Sequence, residues 1–178
     1  MFTRFALIAA AAALLAACTP PAQNAANPNA NPNVGNNGAP NQATMQTRLN
    51  SEQREQLETL IKSYLDASAA NNAQGFGPSG INDEIADLQP GADHRWRINL
   101  RRGVSYRILG VCDNECSDVD IEVLDSSGAV VGSDVLADDI PIVNVQPGSD
   151  TSYNVRIMLK NCTVAPCYVG ARVLQQGA

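Results

Sequence analysis

The sequence predicts a mainly β protein, in which an antiparallel β-sandwich follows one amphipathic helix and a disordered tether. From residue 81 to residue 176, apolar and polar side chains alternate with a period of two, which is typical of strands with one buried and one solvated face. Turn residues such as Gln89–Gly91, Ser126–Gly128 and Gln146–Gly148 interrupt this alternation about every ten residues. About seven or eight short strands at this spacing favour a sandwich.

The N-terminal residues 1–17 have the features of an export signal. Arg4 precedes an Ala- and Leu-rich run over residues 5–17, which is shorter than the roughly 20 apolar residues that a membrane-spanning helix needs. A positive start, a short apolar run and small residues at its end are typical of a secretory signal peptide. The segment Leu15–Cys18 resembles the lipobox of bacterial lipoproteins. The resemblance implies that Cys18 carries fatty acyl chains and becomes the first residue of the mature protein.

Leu15 distinguishes this interpretation from ordinary secretion. Ordinary signal peptidase prefers small residues at the last and third-last positions before its cut, and a cut after Ala17 would place Leu15 at the third-last position. The alternative is a plain secreted protein with an unusual cleavage site. Thr19 follows the cysteine, without the Asp that favours inner-membrane retention in enteric-type sorting. We expect a lipid-anchored protein of the bacterial cell envelope, in the outer membrane and facing the periplasm.

Residues 18–48 are predicted to be the lipidated cysteine and a disordered tether. Asn, Pro, Ala, Gln and Gly dominate the segment, and residues 19–47 carry no charged side chain. Such a composition cannot bury enough apolar surface to offset the entropy lost on ordering. Repeated Asn-Pro steps also disfavour a helix. We expect the segment to separate the folded domain from the lipid surface.

Residues 49–72 are predicted to form one amphipathic helix. Asn50 is a suitable N-cap residue, and Gln53 three positions later completes a capping box. Apolar side chains at helical spacing then form one stripe along the helix, and these are Leu57, Leu60, Ile61, Tyr64 and Leu65. We expect the stripe to pack on the neighbouring domain, and docking of a partner protein is the alternative. Residues 73–80 are predicted to be a hinge loop. They contain a G-x-G-x-x-G pattern, but the βαβ unit that a dinucleotide-binding site requires does not surround it.

The strands predicted within residues 81–176 each have one polar face. They cover Arg95–Leu100, Val104–Ile108, Asp118–Asp125, Ile140–Val145, Tyr153–Lys160 and Tyr168–Leu174.

Six segments carry a resemblance to a known family, and they are Leu88–Gly91, Leu100–Gly103, Tyr106–Asp113, Cys116–Ile121, Asp138–Pro141 and Tyr153–Arg156. Together they resemble the bacterial pre-peptidase C-terminal domain and its lipoprotein relatives. The resemblance covers residues 81–174. It implies a jelly-roll-like sandwich, which is appended to secreted enzymes and often has no catalytic role. No peptidase domain accompanies it in this sequence.

Four cysteines lie in the sandwich region, and an even number in an exported chain indicates disulfides. Three connectivities are possible. Cys112 and Cys116 flank one predicted turn and Cys162 and Cys167 flank another, so we predict these two local pairs. Structural zinc is the alternative, which an oxidising compartment disfavours.

The charges of the sandwich region are segregated along the chain. Fourteen acidic and eight basic residues follow residue 80, and the acidic ones concentrate between residues 113 and 139. We expect mostly solvated strand faces and loops, with no required cofactor. A weak calcium site is the alternative, because calcium prefers hard oxygen ligands; its candidate ligands are Asp113, Asp118, Asp120, Asp138 and Asp139. The early arginines could instead contact an anionic envelope polymer, and they are Arg95, Arg97, Arg101, Arg102 and Arg107.

The function that these patterns predict is binding rather than catalysis. The net charge of −6 disfavours nucleic acid as a partner. His94 is the only histidine, and the sequence lacks the G-x-S-x-G, H-E-x-x-H and P-loop motifs. We expect a non-catalytic accessory module for an envelope protein or polysaccharide. The alternatives are an assembly factor that docks through its helix and, more remotely, a hydrolytic enzyme.

Overall fold

The computed structural model describes residues 44–177, which contain one helix and eleven strands. In chain order the elements are β1 (Met45–Gln46), α1 (Ser51–Asn72), β2 (Phe76–Pro78), β3 (Glu84–Leu88), β4 (Asp93–Leu100), β5 (Tyr106–Cys112), β6 (Cys116–Leu124), β7 (Val130–Asp134), β8 (Ile142–Val145), β9 (Thr151–Cys162), β10 (Val164–Ala165) and β11 (Cys167–Gln176).

Two antiparallel sheets form the sandwich that the sequence predicted. In the first sheet, which we call the covered sheet, β2 and β3 both pair with one edge of β11, whose other edge pairs with β5, and β5 pairs with β8. The second sheet, the open sheet, has the order β4-β9-β6-β7. A short parallel pair joins β1 to β10. The fold is mainly β, with the helix preceding the sandwich as expected.

The main core lies between the two sheets and consists largely of Val, Ile and Leu. The side chains of Ile108 on β5, Ile121 on β6 and Ile157 on β9 are among those buried in it. Trp96, the single tryptophan of the chain, packs against this core from β4. Burial of branched side chains from both sheets is the main source of stability in such a sandwich.

The expectation that every strand has a polar face is wrong for β5 and β11. Their burial is almost continuous, because the covered sheet is buried on both sides: the open sheet packs on one face, and α1 packs on the other. A sheet covered on both faces requires near-continuous apolar strands. By contrast, β4 and β9 largely alternate between buried and exposed positions, as predicted.

The helix begins and ends where the sequence indicated. The side chain of Asn50 accepts a hydrogen bond from the backbone N–H of Gln53 at 2.8 Å, and the Gln53 side chain accepts one from the backbone N–H of Asn50 at 3.0 Å. This reciprocal capping box satisfies two backbone donors at the helix N-terminus. The helix ends at Asn72, and the following Ala73 donates its backbone N–H to Ala69 O.

Two predicted boundaries differ from the structure. The last residues assigned to the tether include Met45 and Gln46, which pair with Val164 and Ala165 as β1 and β10. The predicted hinge loop contains β2, which pairs with the end of β11. Both segments are too short for a period-two pattern to be recognised in the sequence. Residues 18–43 of the predicted tether and the signal segment lie outside the described residues.

Candidate functional site

The helix packs across the outer face of the covered sheet at a position where β11 carries a glycine. Ile61 and Leu65 are fully buried there, against Val111 of β5 and Tyr168 of β11. Gly170 of β11 lies directly beneath them, and a Cβ atom at this position would lie 3.3 Å from Leu65 Cδ1 and still closer to Ile61 Cγ2. The missing side chain at Gly170 therefore allows the helix to approach the sheet closely.

An arginine on β11 also attaches the helix to the sheet. Arg172 donates two hydrogen bonds to the carboxylate of Asp83, at 2.8 and 2.7 Å, and a third to Asp66 of α1 at 2.7 Å. The hydrogen bonds to Asp83, followed by the bond to Asp66, raise the pKa of Arg172 despite its partial burial. Paired, fork-shaped contacts of this kind fix the direction of the guanidinium as well as stabilising it.

Two grooves lie along the junction between α1 and the sandwich. The first, which we call the polar groove, has a volume of about 360 Å³ and is lined mainly by Tyr64, Ser68, Asn71, Asp113, Asn114 and Asp139. The second, the apolar groove, has a volume of about 470 Å³ and is lined mainly by Leu49, Leu57, Leu60, Asp113, Val164 and Pro166. Asp113 contributes to both grooves.

Asp113 is a buried carboxylate with one oxygen unpaired. Its side chain lies in the turn after β5 and is only 4% exposed. Oδ2 accepts a hydrogen bond from the backbone N–H of Tyr168 at 2.6 Å, whereas Oδ1 is buried without a hydrogen-bond partner. Burial raises the pKa of this carboxyl; the Tyr168 N–H lowers it, and the charge of Glu115 raises it again. A buried carboxylate oxygen without a donor is destabilising.

A hydrogen bond connects the turn that holds Asp113 to the helix. The hydroxyl of Tyr64 donates to Asn114 Oδ1 at 2.7 Å. Both residues line the polar groove. The disulfide between Cys112 and Cys116 closes the same turn. The turn is thus held by a covalent bond at its base and by a hydrogen bond to the helix near its middle.

Both predicted disulfide pairs are the bonded pairs. Cys112 bonds Cys116, and Cys162 bonds Cys167, with Cα–Cα distances of 5.9 and 6.2 Å. Cys116 and Cys162 lie opposite each other on the neighbouring strands β6 and β9. The two disulfides therefore stabilise the same end of the sandwich, next to the grooves.

The five predicted calcium ligands do not form one site. Asp113 and Asp139 line the polar groove, whereas Asp118 and Asp120 lie on the outer face of β6. Asp120 pairs with Lys160 at 3.0 Å, and the Asp138 side chain accepts the backbone N–H of Ile140. Within residues 44–177, no group of three or more His, Cys, Asp and Glu side chains is placed to hold a metal ion.

Asp118 is the second carboxylate of this set with an unpaired oxygen. Its Oδ2 accepts a hydrogen bond from Asn161 at 3.2 Å, and its buried Oδ1 has no partner. Burial, followed by the charge of Asp120, raises the pKa of Asp118. The positive charge of the nearby Lys160 lowers the pKa of Asp118 and offsets part of this effect.

The predicted docking stripe is divided between core and groove. Ile61 and Leu65 are completely buried, so they are not accessible to a partner, which is a correction to the docking alternative. Leu57, Leu60 and Tyr64 are partly exposed and line the grooves. The expectation that the stripe packs on the neighbouring domain is confirmed for Ile61 and Leu65.

The side chains of His94 and Arg107 have partners within the fold. His94 forms a 2.7 Å pair with Glu84 and stacks on Trp96. Arg107, one of the arginines considered for an anionic polymer, lies over the ring of Phe76 and donates to Asn144.

Cys18, the predicted lipidation site, lies outside the described residues. No helix within residues 44–177 is long and apolar enough to cross a membrane. No known family model matches the chain, and neither does any curated protein sequence. The resemblance to the pre-peptidase C-terminal domain therefore stays a prediction.

Proposed function

We propose that the protein is a lipid-anchored, non-catalytic binding module of the bacterial cell envelope. In this proposal Cys18 carries the lipid, the uncharged segment after it acts as a tether, and the sandwich with its attached helix is presented to the periplasm from the outer membrane. The ligand binds at the grooves along α1.

The observation that carries the anchoring proposal is the pairing of cysteines. The chain has five cysteines, and the four within residues 44–177 form two disulfides with each other. The folded domain therefore offers no partner for Cys18. A cysteine at the end of an export signal and without a disulfide partner in the domain is suited to lipidation. Two or more acyl chains would hold the protein stably on a membrane, whereas one chain gives only marginal binding.

The binding role rests on the grooves and on Asp113. Concave sites that combine apolar walls with a few polar groups are the usual form of a binding site. The apolar groove offers Leu57, Leu60 and Pro166, and the polar groove offers amide and hydroxyl groups beside a buried carboxylate. The disulfide-closed turn and the packed helix preorganise both walls, which lowers the entropic cost of binding.

An assembly factor that docks through residues 57–65 is the second candidate, and the burial of Ile61 and Leu65 argues against it in its simple form. A Leu60→Glu variant tests it, because Leu60 is one of the partly exposed residues of the stripe. Leu60 also lines the apolar groove, so loss of partner capture in a folded Leu60→Glu variant would favour the assembly factor only if an Asp113→Asn variant still captures the partner. A hydrolytic enzyme is the remaining alternative, and turnover that depends on His94 would support it.

Detergent partitioning followed by crosslinking in native envelopes tests the proposal. The mature protein is expected in the detergent phase of Triton X-114, and the Cys18→Ser variant in the aqueous phase. Crosslinked partners should be captured by the anchored protein. A wild-type protein found wholly in the aqueous phase would exclude the anchor.

A further inference from the structure

The strand β4 forms a long free edge of the open sheet. It pairs with β9 without a break, from Asp93 opposite Met158 to Leu100 opposite Thr151, and within residues 44–177 no strand pairs with its other side. The other edge strands, β2, β3, β7 and β8, have three to five residues, whereas β4 has eight and contains no proline. An edge strand presents backbone N–H and C=O groups without ladder partners, and these groups can pair with an added strand.

The outer face of this edge is positively charged. Four exposed residues alternate there with buried or partly buried ones, and they are Asp93, Arg95, Arg97 and Asn99. Asp93 pairs with Arg95 at 2.6 Å, whereas no carboxylate in the described part of the chain pairs with Arg97. The residue opposite Arg95 on β9 is Arg156, another cation. The edge is therefore locally cationic in a chain whose net charge is −6.

These charges disfavour a second copy of β4 as the added strand. If two β4 strands paired antiparallel around Trp96, Arg95 of each copy would lie opposite Arg97 of the other. Side chains directly opposite each other on neighbouring strands stabilise a sheet when their charges are opposite and destabilise it when their charges are alike. A strand that fits this edge therefore carries acidic side chains at alternate positions, which matches the spacing of Arg95 and Arg97.

Trp96 indicates what the other face of the added strand carries. Its side chain packs against the main core between the sheets and is only partly buried, whereas Ile98 two residues later is 3% exposed. Successive side chains of a strand point to opposite faces, so the residues between the acidic ones would lie beside Trp96. Apolar side chains at these positions would remove the exposed part of the indole from water.

We propose that the free edge of β4 binds an extended peptide segment of a partner protein in which acidic and apolar residues alternate. The segment adds to the open sheet as a further strand. Backbone hydrogen bonds to β4 hold it, its acidic side chains face Arg95 and Arg97, and its apolar side chains cover Trp96. No residue of β4 lines either groove, so this site is separate from the grooves of the proposed function.

Fluorescence titration of the full chain in detergent micelles tests this proposal. Trp96 is the single tryptophan and lies on β4, so its emission reports binding at the edge. The probe is a blocked octapeptide of alternating glutamate and valine, and its matched control replaces the glutamates by lysines. At low ionic strength we expect the acidic peptide to bind about fivefold or more tightly than the basic one. Equal binding of both peptides, or no saturable change up to millimolar acidic peptide, would overturn the proposal.

Backbone methylation separates strand addition from simple charge attraction. Alternate N–H groups of an added strand point toward its neighbour, so methylating either the glutamate or the valine nitrogens removes the donors that face β4 in only one of the two cases. One methylated peptide should bind about tenfold more weakly than the parent, and the other should bind within about threefold of it. Equal binding of the two methylated peptides, or tighter binding by the anionic polysaccharide polygalacturonate, would overturn the peptide strand as occupant.

Charge-reversing variants locate the contact. Arg97→Glu should weaken binding of the acidic peptide about fivefold or more and strengthen binding of the basic peptide. Lys62→Glu makes the same charge change at an exposed position on α1, and it should leave both affinities within about twofold. Both side chains are exposed, so both variants should keep the wild-type melting temperature. Equal effects of the two variants, or self-association of the chain that is lost in Arg97→Glu, would overturn the inference.

Discussion

Replacing Gly170 by alanine should push the helix away from the sandwich. Gly170 lies in the middle of β11, between Ile85 of β3 and Val111 of β5, and is buried under α1. The added methyl group would overlap Ile61 Cγ2 and approach Leu65 Cδ1 to 3.3 Å. Ile61 is completely buried and β-branched, so it cannot rotate freely out of the way.

The expected cost follows from the overlap. Carbon atoms at optimal contact are about 3.5–4.0 Å apart, so Ile61 and its helix turn would need to move by roughly 1 Å or more. Overpacking of this kind costs about 1–3 kcal/mol. Replacing glycine restricts the unfolded chain and returns about 0.4–1 kcal/mol. The net loss of unfolding free energy should be about 1–2 kcal/mol, provided that the helix relaxes partly.

Urea unfolding followed by two signals measures this loss. Far-UV circular dichroism at 222 nm follows α1, and the fluorescence of the single Trp96 follows the sandwich. The control is Gly148→Ala, in an exposed loop where an added Cβ meets nothing within 4 Å. We expect Gly170→Ala to lower the midpoint and Gly148→Ala to leave it unchanged or slightly raised. Adding Ile61→Leu, which removes the clashing methyl group, should restore part of the loss. Equal stability of the two glycine variants would refute the close approach of helix and sheet.

The other predictions concern the anchor, the arginine, the buried carboxylate and a disulfide. Cys18→Ser should abolish metabolic labelling by radioactive palmitate without changing the melting temperature of the domain. Arg172→Ala should lower the unfolding free energy by about 1–3 kcal/mol in urea titrations, since it removes hydrogen bonds to two carboxylates. Because burial raises the pKa of Asp113, the folded state holds its proton more tightly. The unfolding free energy of the wild type relative to that of Asp113→Asn should therefore increase as the pH falls from neutral through the raised pKa. It should level off below the unfolded pKa of about 3.9. A free-energy difference that decreases on acidification would contradict the raised pKa. Replacing Cys112 and Cys116 together by serine should cost about 2 kcal/mol, measured by the same titrations, because the closed loop is short.

Local rules predicted much of the fold. The helix start at Asn50 depends on side chains within one turn, and the sequence contains all of them. The strand β9 was also predictable from local sequence, because its alternating apolar and polar residues match one buried face and one solvated face. Both disulfides were predictable because each pair spans a turn.

The covered sheet could not be predicted in the same way. The buried faces of β5 and β11 depend on where α1 packs, and this packing joins residues far apart in the chain. The signal was present in the near-continuous apolar runs Ile108–Cys112 and Tyr168–Ala171. Such runs indicate a strand covered on both faces, but they do not identify the covering element. The unpaired oxygen of Asp113 was still harder to predict from the sequence, because it depends on how the turn after β5 forms hydrogen bonds with β11.

The position of β11 connects the helix packing to the candidate binding site. Gly170 and Arg172 of this strand attach α1 to the sheet, and the backbone N–H of Tyr168, two residues earlier, holds the carboxylate of Asp113. A shift of the helix on Gly170 should therefore change the grooves, since α1 forms one wall of each. A ligand that binds only the folded arrangement stabilises it in proportion to the logarithm of its concentration relative to Kd. The partner that is crosslinked in native envelopes should consequently be captured less efficiently by Gly170→Ala than by the wild-type protein, because the displaced helix of the variant no longer presents the intact grooves.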